Sequence, residues 1–141
     1  MVERFSVSID SDLIRQFDRW LHERRYNNRS EAVRDLIRRA LIQQRVEDNR
    51  EVVAVITIVY DHHQRQLQER LTDIQHAFHH EIVSTTHIHL NHDDCLEVII
   101  ARGRATKAQD LADRLISLRG VKDGSITMSA AGSHLHGRAA S

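Results

Sequence analysis

Polar and apolar positions alternate with period two over Arg4-Phe5-Ser6-Val7-Ser8-Ile9. That spacing predicts a strand with Phe5, Val7 and Ile9 on one face and Arg4, Ser6 and Ser8 on the other. The period then changes. Leu13, Ile14, Phe17, Trp20 and Leu21 recur at helical spacing, and Asp10 or Ser11 can cap the helix they define. Arg25-Tyr26-Asn27-Asn28 interrupts the stripe. A second helix is expected from near Ser30, with Asn28 and Glu31 placed as a capping box. Its apolar stripe is Ala32, Val33, Leu36, Ile37, Ala40 and Leu41. Residues 43–51 lose all apolar periodicity, so they are expected to prolong that helix or to form a linker.

The remainder reads as strand, helix, strand, strand, helix, strand. Val52 to Tyr60 is β-branched and nearly continuous, the pattern of a strand buried on both faces or mostly so. Residues 63–79 carry Leu67, Leu71, Ile74 and Phe78 as a helical stripe. Ile82 to Leu90 and Cys95 to Ala101 are strands joined by the turn Asn91-His92-Asp93-Asp94. Residues 105–118 are a helix, Gly120 is a candidate C-cap, and Val121 to Ser129 closes the set as a strand. The fold class is therefore α+β, and the βαββαβ order is the ferredoxin-like (ACT-type) arrangement. The expected boundaries are a domain over 1–45, a linker over 46–51, a domain over 52–130, and a disordered tail over 131–141.

A single six-residue strand followed by two helices cannot stand alone. Both strand edges would be unpaired, and about 45 residues bury too little surface for independent stability. Two copies remove the difficulty if their strands pair antiparallel. Such a ribbon exposes Arg4, Ser6 and Ser8 from each chain and fits the DNA major groove.

Composition changes the picture at one residue type. The chain has 141 residues and zero formal net charge, with eleven Arg against nine carboxylates over residues 1–50. That mild asymmetry permits a basic face without demanding one. No apolar run approaches the roughly 20 residues of a membrane span, no signal-peptide core follows Met1, and a lone cysteine excludes an internal disulfide. These features point to the cytoplasm. Histidine stands out: nine of the eleven fall between His62 and His134, dispersed through patterned segments rather than run together as a tag. Metal binding is the reading that count favours.

The dense segment is Thr86-His87-Ile88-His89-Leu90-Asn91-His92-Asp93-Asp94-Cys95. Side chains two apart in a strand share a face, so His87 and His89 lie side by side. Cys95 opens the returning strand and brings its sulfur back toward them. Two imidazoles and a thiolate leave one position open on a metal. Zinc, nickel(II) and copper(II) all accept this donor set, so ligand chemistry alone does not choose between them.

Two resemblances narrow the choice. Residues 3–42, through the Arg4–Ile9 strand and Asn28-Arg29-Ser30-Glu31-Ala32-Val33-Arg34-Asp35, resemble the ribbon-helix-helix family of DNA-binding proteins. The resemblance implies base reading by Arg4, Ser6 and Ser8, and a phosphate gripped at the second helix start by Asn28, Arg29 and Ser30. Tyr60, Gln75-His76, His87-x-His89, Asn91 to Glu97 and Arg119-Gly120-Val121 together resemble the nickel-responsive regulator family. That likeness implies a nickel-dependent repressor of nickel-uptake genes, acting on a palindromic operator as a homotetramer, a dimer of dimers. It further implies one Ni2+ per subunit, held by His87, His89 and Cys95 with His76 from across the tetramer interface. Tyr60, Gln75 and Glu97 match positions that orient ligands. Glu31 and Asp35 match a second cation site, for an ion such as potassium, at the domain junction. The helix bearing His76 departs from histidine-richer relatives at Ala77 and Phe78, which puts metal binding through His62, His79 or His80 in doubt. No role is assigned to His63, nor to His134 and His136 in the tail.

Other classes have distinct requirements. A metal-buffering or delivery protein would use the N-terminal module only to dimerise. A zinc hydrolase with Glu97 as base needs the open position that His76 would fill. An antitoxin would share the N-terminal pattern but not the long C-terminal part. An enzyme is not expected.

Overall fold

In the computed structural model, residues 1–130 are described. The chain divides between Ala40 and Leu41 into two compact units, each considered by itself.

In the first unit, residues 1–10 form no strand within the single chain. The expectation for Arg4–Ile9 thus has no counterpart here, for a physical reason: the unit contains no second strand to pair with it. Phe5 and Val7 are 70% and 63% exposed. Helix α1 runs Ser11–Glu23, and the Asp10 carboxylate accepts the Asp12 N–H at 3.1 Å. Helix α2 runs Arg29–Glu47. Its cap differs slightly from a reciprocal box. Asn28 Oδ1 accepts the Glu31 N–H at 2.9 Å, whereas the Glu31 carboxylate accepts from Asn27 rather than from Asn28. A fork of two 2.8 Å bonds from Arg29 to Asp18 ties the helices together and holds the Asp18 carboxyl below its ordinary range. The Tyr26 hydroxyl donates to Asp35, which also accepts from Arg39.

Helix α1 ends in a Schellman turn. Tyr26 N–H donates to Leu21 O and Arg25 N–H to His22 O, each at 3.0 Å. Arg25 occupies the left-handed position with φ 63°. A Cβ there costs about 1–2 kcal/mol. Arg25→Gly should therefore raise unfolding stability by about 1 kcal/mol, since glycine's added chain entropy offsets part of the relief. Equilibrium denaturation checks it, and an unchanged or lowered midpoint would contradict the strain.

The second unit contains β1 (Glu51–Asp61), α3 (Arg65–Ala77), β2 (Ile82–His89), β3 (Asp94–Arg104), α4 (Ala105–Ile116) and β4 (Val121–Ala130). All neighbours pair antiparallel, in the order β2-β3-β1-β4, which is the ferredoxin-like arrangement. Helices α3 and α4 cover one face, where Ala54, Ile56, Ile58, Ile99, Leu111 and Leu115 form the centre of the core. Truncating Leu111 or Leu115 to alanine belongs to the class that costs about 2–5 kcal/mol.

Three details differ from expectation. First, β1 is buried on one face only: Val52, Ala54, Ile56, Ile58 and Tyr60 are covered, while Val55 opposite is exposed. A continuous apolar run does not distinguish a sheet covered twice from one whose second face awaits another chain. Second, the expected linker over 46–51 is helical only as far as Glu47, and residues 43–47 follow the alternative of a prolonged helix. After Glu47 a second Schellman turn, with Asn49 left-handed at φ 51°, carries the chain into β1. Asn49 suits that position, and its Oδ1 accepts two 2.9 Å bonds from Thr106 at the start of α4. Third, Ser117 rather than Gly120 caps α4. Gly120 serves the following turn at φ 99°, where a Cβ would meet Gln64 Oε1 at 2.5 Å.

Candidate metal centre

The register of three strands builds the centre. Tyr60 of β1 lies opposite Cys95 of β3, which lies opposite His89 of β2, and the next pair on the same face is Glu97 with His87. The hairpin turn keeps that register. Asn91 Oδ1 accepts the N–H groups of Asp93 and Asp94 at 2.8 and 2.9 Å, and Leu90 N–H donates to Asp94 O at 2.9 Å. Asp93 and Asp94 thus serve the turn.

Cys95 is fully buried. Burial, reinforced by the nearby Asp94 and Glu97 carboxylates, pushes its thiol above the ordinary value. Its Sγ lies 3.4 Å from His89 Nδ1 and 3.3 Å from His62 Nδ1. These three donor atoms lie within 4.8 Å of one another. His87 stands beside them, with its ring 5.1 Å from that of His89 and its Nδ1 3.1 Å from the Tyr60 hydroxyl. A buried thiol facing imidazole nitrogens suits a soft or borderline divalent ion, whose charge replaces the thiol proton and offsets the burial that opposes a bare thiolate.

Around this set a polar chain runs from helix to sheet. Thr85 donates to Gln75 Oε1 at 3.2 Å, and Gln75 Nε2 donates to Glu97 Oε1 at 2.7 Å. Glu97 is the one buried charged residue among the described residues. Burial and the Glu97 carboxylate push the Tyr60 phenol far above its ordinary range, so it stays a neutral donor. Tyr60 thus bonds His87 directly, and Gln75 and Glu97 bond each other beside it.

His76 lies elsewhere. It occupies the last turn of α3, is exposed, and its ring stacks 5.7 Å from that of His79. Within the chain it does not join the cluster. His62 joins it instead: Tyr60 pairs with Cys95 and Asp61 with Asp94, so the residue after β1 lies against the hairpin turn, where its N–H donates to Asp93 O at 2.7 Å. A second, wholly exposed group of His63, His92 and Asp93 lies next to the same turn, with His63 Nε2 3.2 Å from Asp93 Oδ1. Among the residues expected to face DNA, Arg4, Ser6 and Ser8 are exposed, and Asn28, Arg29 and Ser30 sit at the start of α2.

Comparison with known proteins places this geometry. Residues 53–129 match the NikR C terminal nickel binding domain, and residues 3–44 match the ribbon-helix-helix protein, copG family. A chain of Desulfotalea psychrophila, provisionally named a nickel-responsive regulator, is 53% identical over 136 residues, covering 96% of this chain and 100% of its own. One from Solibacter usitatus with the same provisional name is 50% identical, covering 95% and 97%. An uncharacterized protein of Thermotoga maritima shares the fold alone, at TM-score 0.51 and 13% identity, over 55% of this chain and 96% of that one. A ribbon-helix-helix module joined to a nickel-binding domain defines a metal-responsive DNA-binding regulator rather than an enzyme. The chain belongs to the nickel-responsive regulator family. No helix among the described residues is long and apolar enough to cross a membrane.

Proposed function

We propose that the chain is a cytoplasmic, nickel-dependent repressor that closes a palindromic operator controlling nickel uptake. The observation that carries the metal half is the buried Cys95 thiol with imidazoles converging on it in an otherwise well-bonded frame. In this reading one nickel ion per subunit is held by His87, His89 and Cys95 together with His76 of the partner subunit. Bound nickel supplies a strong preference for four in-plane donors. The exposed outer end of α3 supports the role of His76, because it leaves the imidazole available to another chain. The assembly is a dimer of dimers. Exposed Leu13, Leu36, Ile37 and Leu41 support pairing of the N-terminal modules, and the half-open second face of β1 supports association through the sheets. Operator binding measured against nickel concentration tests the whole reading. Binding indifferent to nickel would overturn it and favour a metal buffer whose N-terminal module only dimerises.

The DNA half rests on Arg4, Ser6 and Ser8 as base readers and on Asn28, Arg29 and Ser30 at the phosphate. Arg4→Ala should weaken operator binding by about 1–3 kcal/mol and relax specificity at one position. Fluorescence anisotropy with wild-type and singly altered operators checks this. Unchanged affinity would remove the ribbon from recognition.

In the same reading Glu31 and Asp35 hold a second cation, potassium or a similar ion. Both carboxylates have partners within the chain: Asn27 N–H for Glu31, and Tyr26 with Arg39 for Asp35. Glu31→Ala should weaken specific DNA binding although it removes a charge that repels phosphate. Tighter binding by that variant would assign Glu31 to helix capping alone.

A further inference from the structure

We infer that Phe78 is a positioning residue for the proposed nickel site: held between Lys107 and Arg114 of α4, it fixes the last turn of α3 and keeps His76 presented to the partner subunit. The inference rests on the nickel reading above.

The apolar stripe of α3 ends on Phe78, which caps the helix and is buried in the core between exposed Ala77 and His79. Lys107 Nζ lies 5.4 Å and Arg114 Cζ 5.5 Å from its ring centroid, both within reach of cation–π attraction. Lys107, Leu111 and Arg114 stand at i, i+4 and i+7, so one stripe of α4 offers a buried leucine flanked by two cations. The backbone of Phe78 is equally well tied. Its N–H donates to Ile74 O at 3.2 Å and Gln75 O at 3.1 Å, and its carbonyl accepts from Glu81 at 3.0 Å and Ile82 at 3.1 Å. Lys107 Nζ also lies 3.7 Å from the Glu81 carboxylate, and Glu81 O accepts the Arg102 N–H at 2.7 Å. The passage from α3 to β2 is therefore anchored by side chain and main chain together.

His76 has no such anchor of its own. It is exposed, and its ring neighbour is His79, whose Nδ1 lies 2.9 Å from His76 O. The adjoining residues do the holding. On one side Gln75 bonds Glu97 at 2.7 Å, and on the other Phe78 is locked under α4. A helix end without tertiary anchors frays. A ligand that spends only a fraction of its time in the bridging position weakens metal binding by that fraction. Phe78 removes this cost in advance, because it tethers the turn in the metal-free chain.

The test uses the full-length protein in a double-mutant cycle of Phe78→Leu and His76→Ala, with nickel affinity measured by chelator competition. Leucine keeps the position apolar and takes away the ring. Phe78→Leu should lower nickel affinity about tenfold, the loss expected if the freed turn is competent about one tenth of the time. In the His76→Ala background the same change should cost nothing further, because the group it positions is gone. Equal losses in both backgrounds would reduce Phe78 to packing and overturn the proposal, as would wild-type affinity for Phe78→Leu. Lys107→Met combined with Arg114→Met alters exposed positions and leaves the ring in place. That variant should repeat the pattern with a few-fold loss, since each exposed cation–π contact is worth about two- to fivefold. If Phe78→Leu fails to fold, it decides alone. Hydrogen exchange on the metal-free protein adds a readout that needs no nickel. The Glu81 and Ile82 N–H groups, which donate to Phe78 O, should exchange about tenfold faster in Phe78→Leu while Leu111 keeps its protection. Unchanged protection at both would contradict the tether. A His76→Ala variant with unaltered nickel affinity and planar spectrum would sink the nickel reading, and this inference with it. A loss in His76→Ala beside an unaffected Phe78→Leu would overturn the positioning role alone.

Discussion

Cys95→Ala is expected to abolish nickel response while leaving the protein folded. The thiol lies at the centre of the β1–β3–β2 register and is the only sulfur donor in the chain other than methionine. Its removal should lower nickel affinity by at least about 100-fold, the upper range for losing an outer support, because here a direct ligand is lost. Stability should fall by only about 1 kcal/mol, since a small residue replaces a small one in a site that is apolar on the core side. Equilibrium dialysis with nickel, thermal melting and operator binding give the three readouts. A nickel–thiolate charge-transfer band surviving in the variant would eliminate Cys95 as a ligand. A melt far below wild type would show that the residue is chiefly a packing element.

The second large effect concerns His76, exposed on α3 and remote from the converging donors of its own chain. His76→Ala should leave metal binding within the subunit but lose the planar nickel spectrum, and the variant should favour tetrahedral ions. Mixing is the stronger experiment. Neither Cys95→Ala nor His76→Ala alone can build a planar site. Exchanged oligomers should contain some sites made from one intact His87, His89 and Cys95 set facing one intact His76. Partial recovery of the planar spectrum after exchange is the expected result. No recovery, with exchange proven by mass spectrometry or fluorescence transfer, would confine the site to one subunit and remove the bridge between metal and assembly.

Much of this was legible from residue order because periodicity reports burial. The helical stripe over Leu67, Leu71 and Ile74 placed α3, and β-branched content placed β1, each within a few residues of their observed ends. The His-x-His pair and Cys95 were legible because strand parity fixes which side chains share a face. His62 was not, because it lies past the end of β1 in a turn, where no period applies and only the cross-strand register brings it to the sulfur. The Arg4–Ile9 strand was legible as a pattern but has no partner in a single chain. Likewise the continuous Val52–Tyr60 run reported two apolar faces correctly, whereas only one of them is covered within the chain. Gly120 was misplaced as the cap of α4 for a local reason: several residues near a helix end can accept the turn, so composition does not say which one serves it.

The turn at residues 91–94 has a consequence for how this gene can change over time. Surface turns usually tolerate insertions and deletions better than any other part of a fold. This one sits between His89 and Cys95, whose shared face depends on the register that the Asn91 side chain holds. One residue gained or lost here would shift a strand by one position and turn both histidines to the opposite side of the sheet, or force a bulge beside the sulfur. Loop length at this point is therefore as constrained as the identity of the ligands themselves. Indel tolerance across the chain should show a sharp minimum at an exposed, hydrophilic tip where exposure alone would place a maximum.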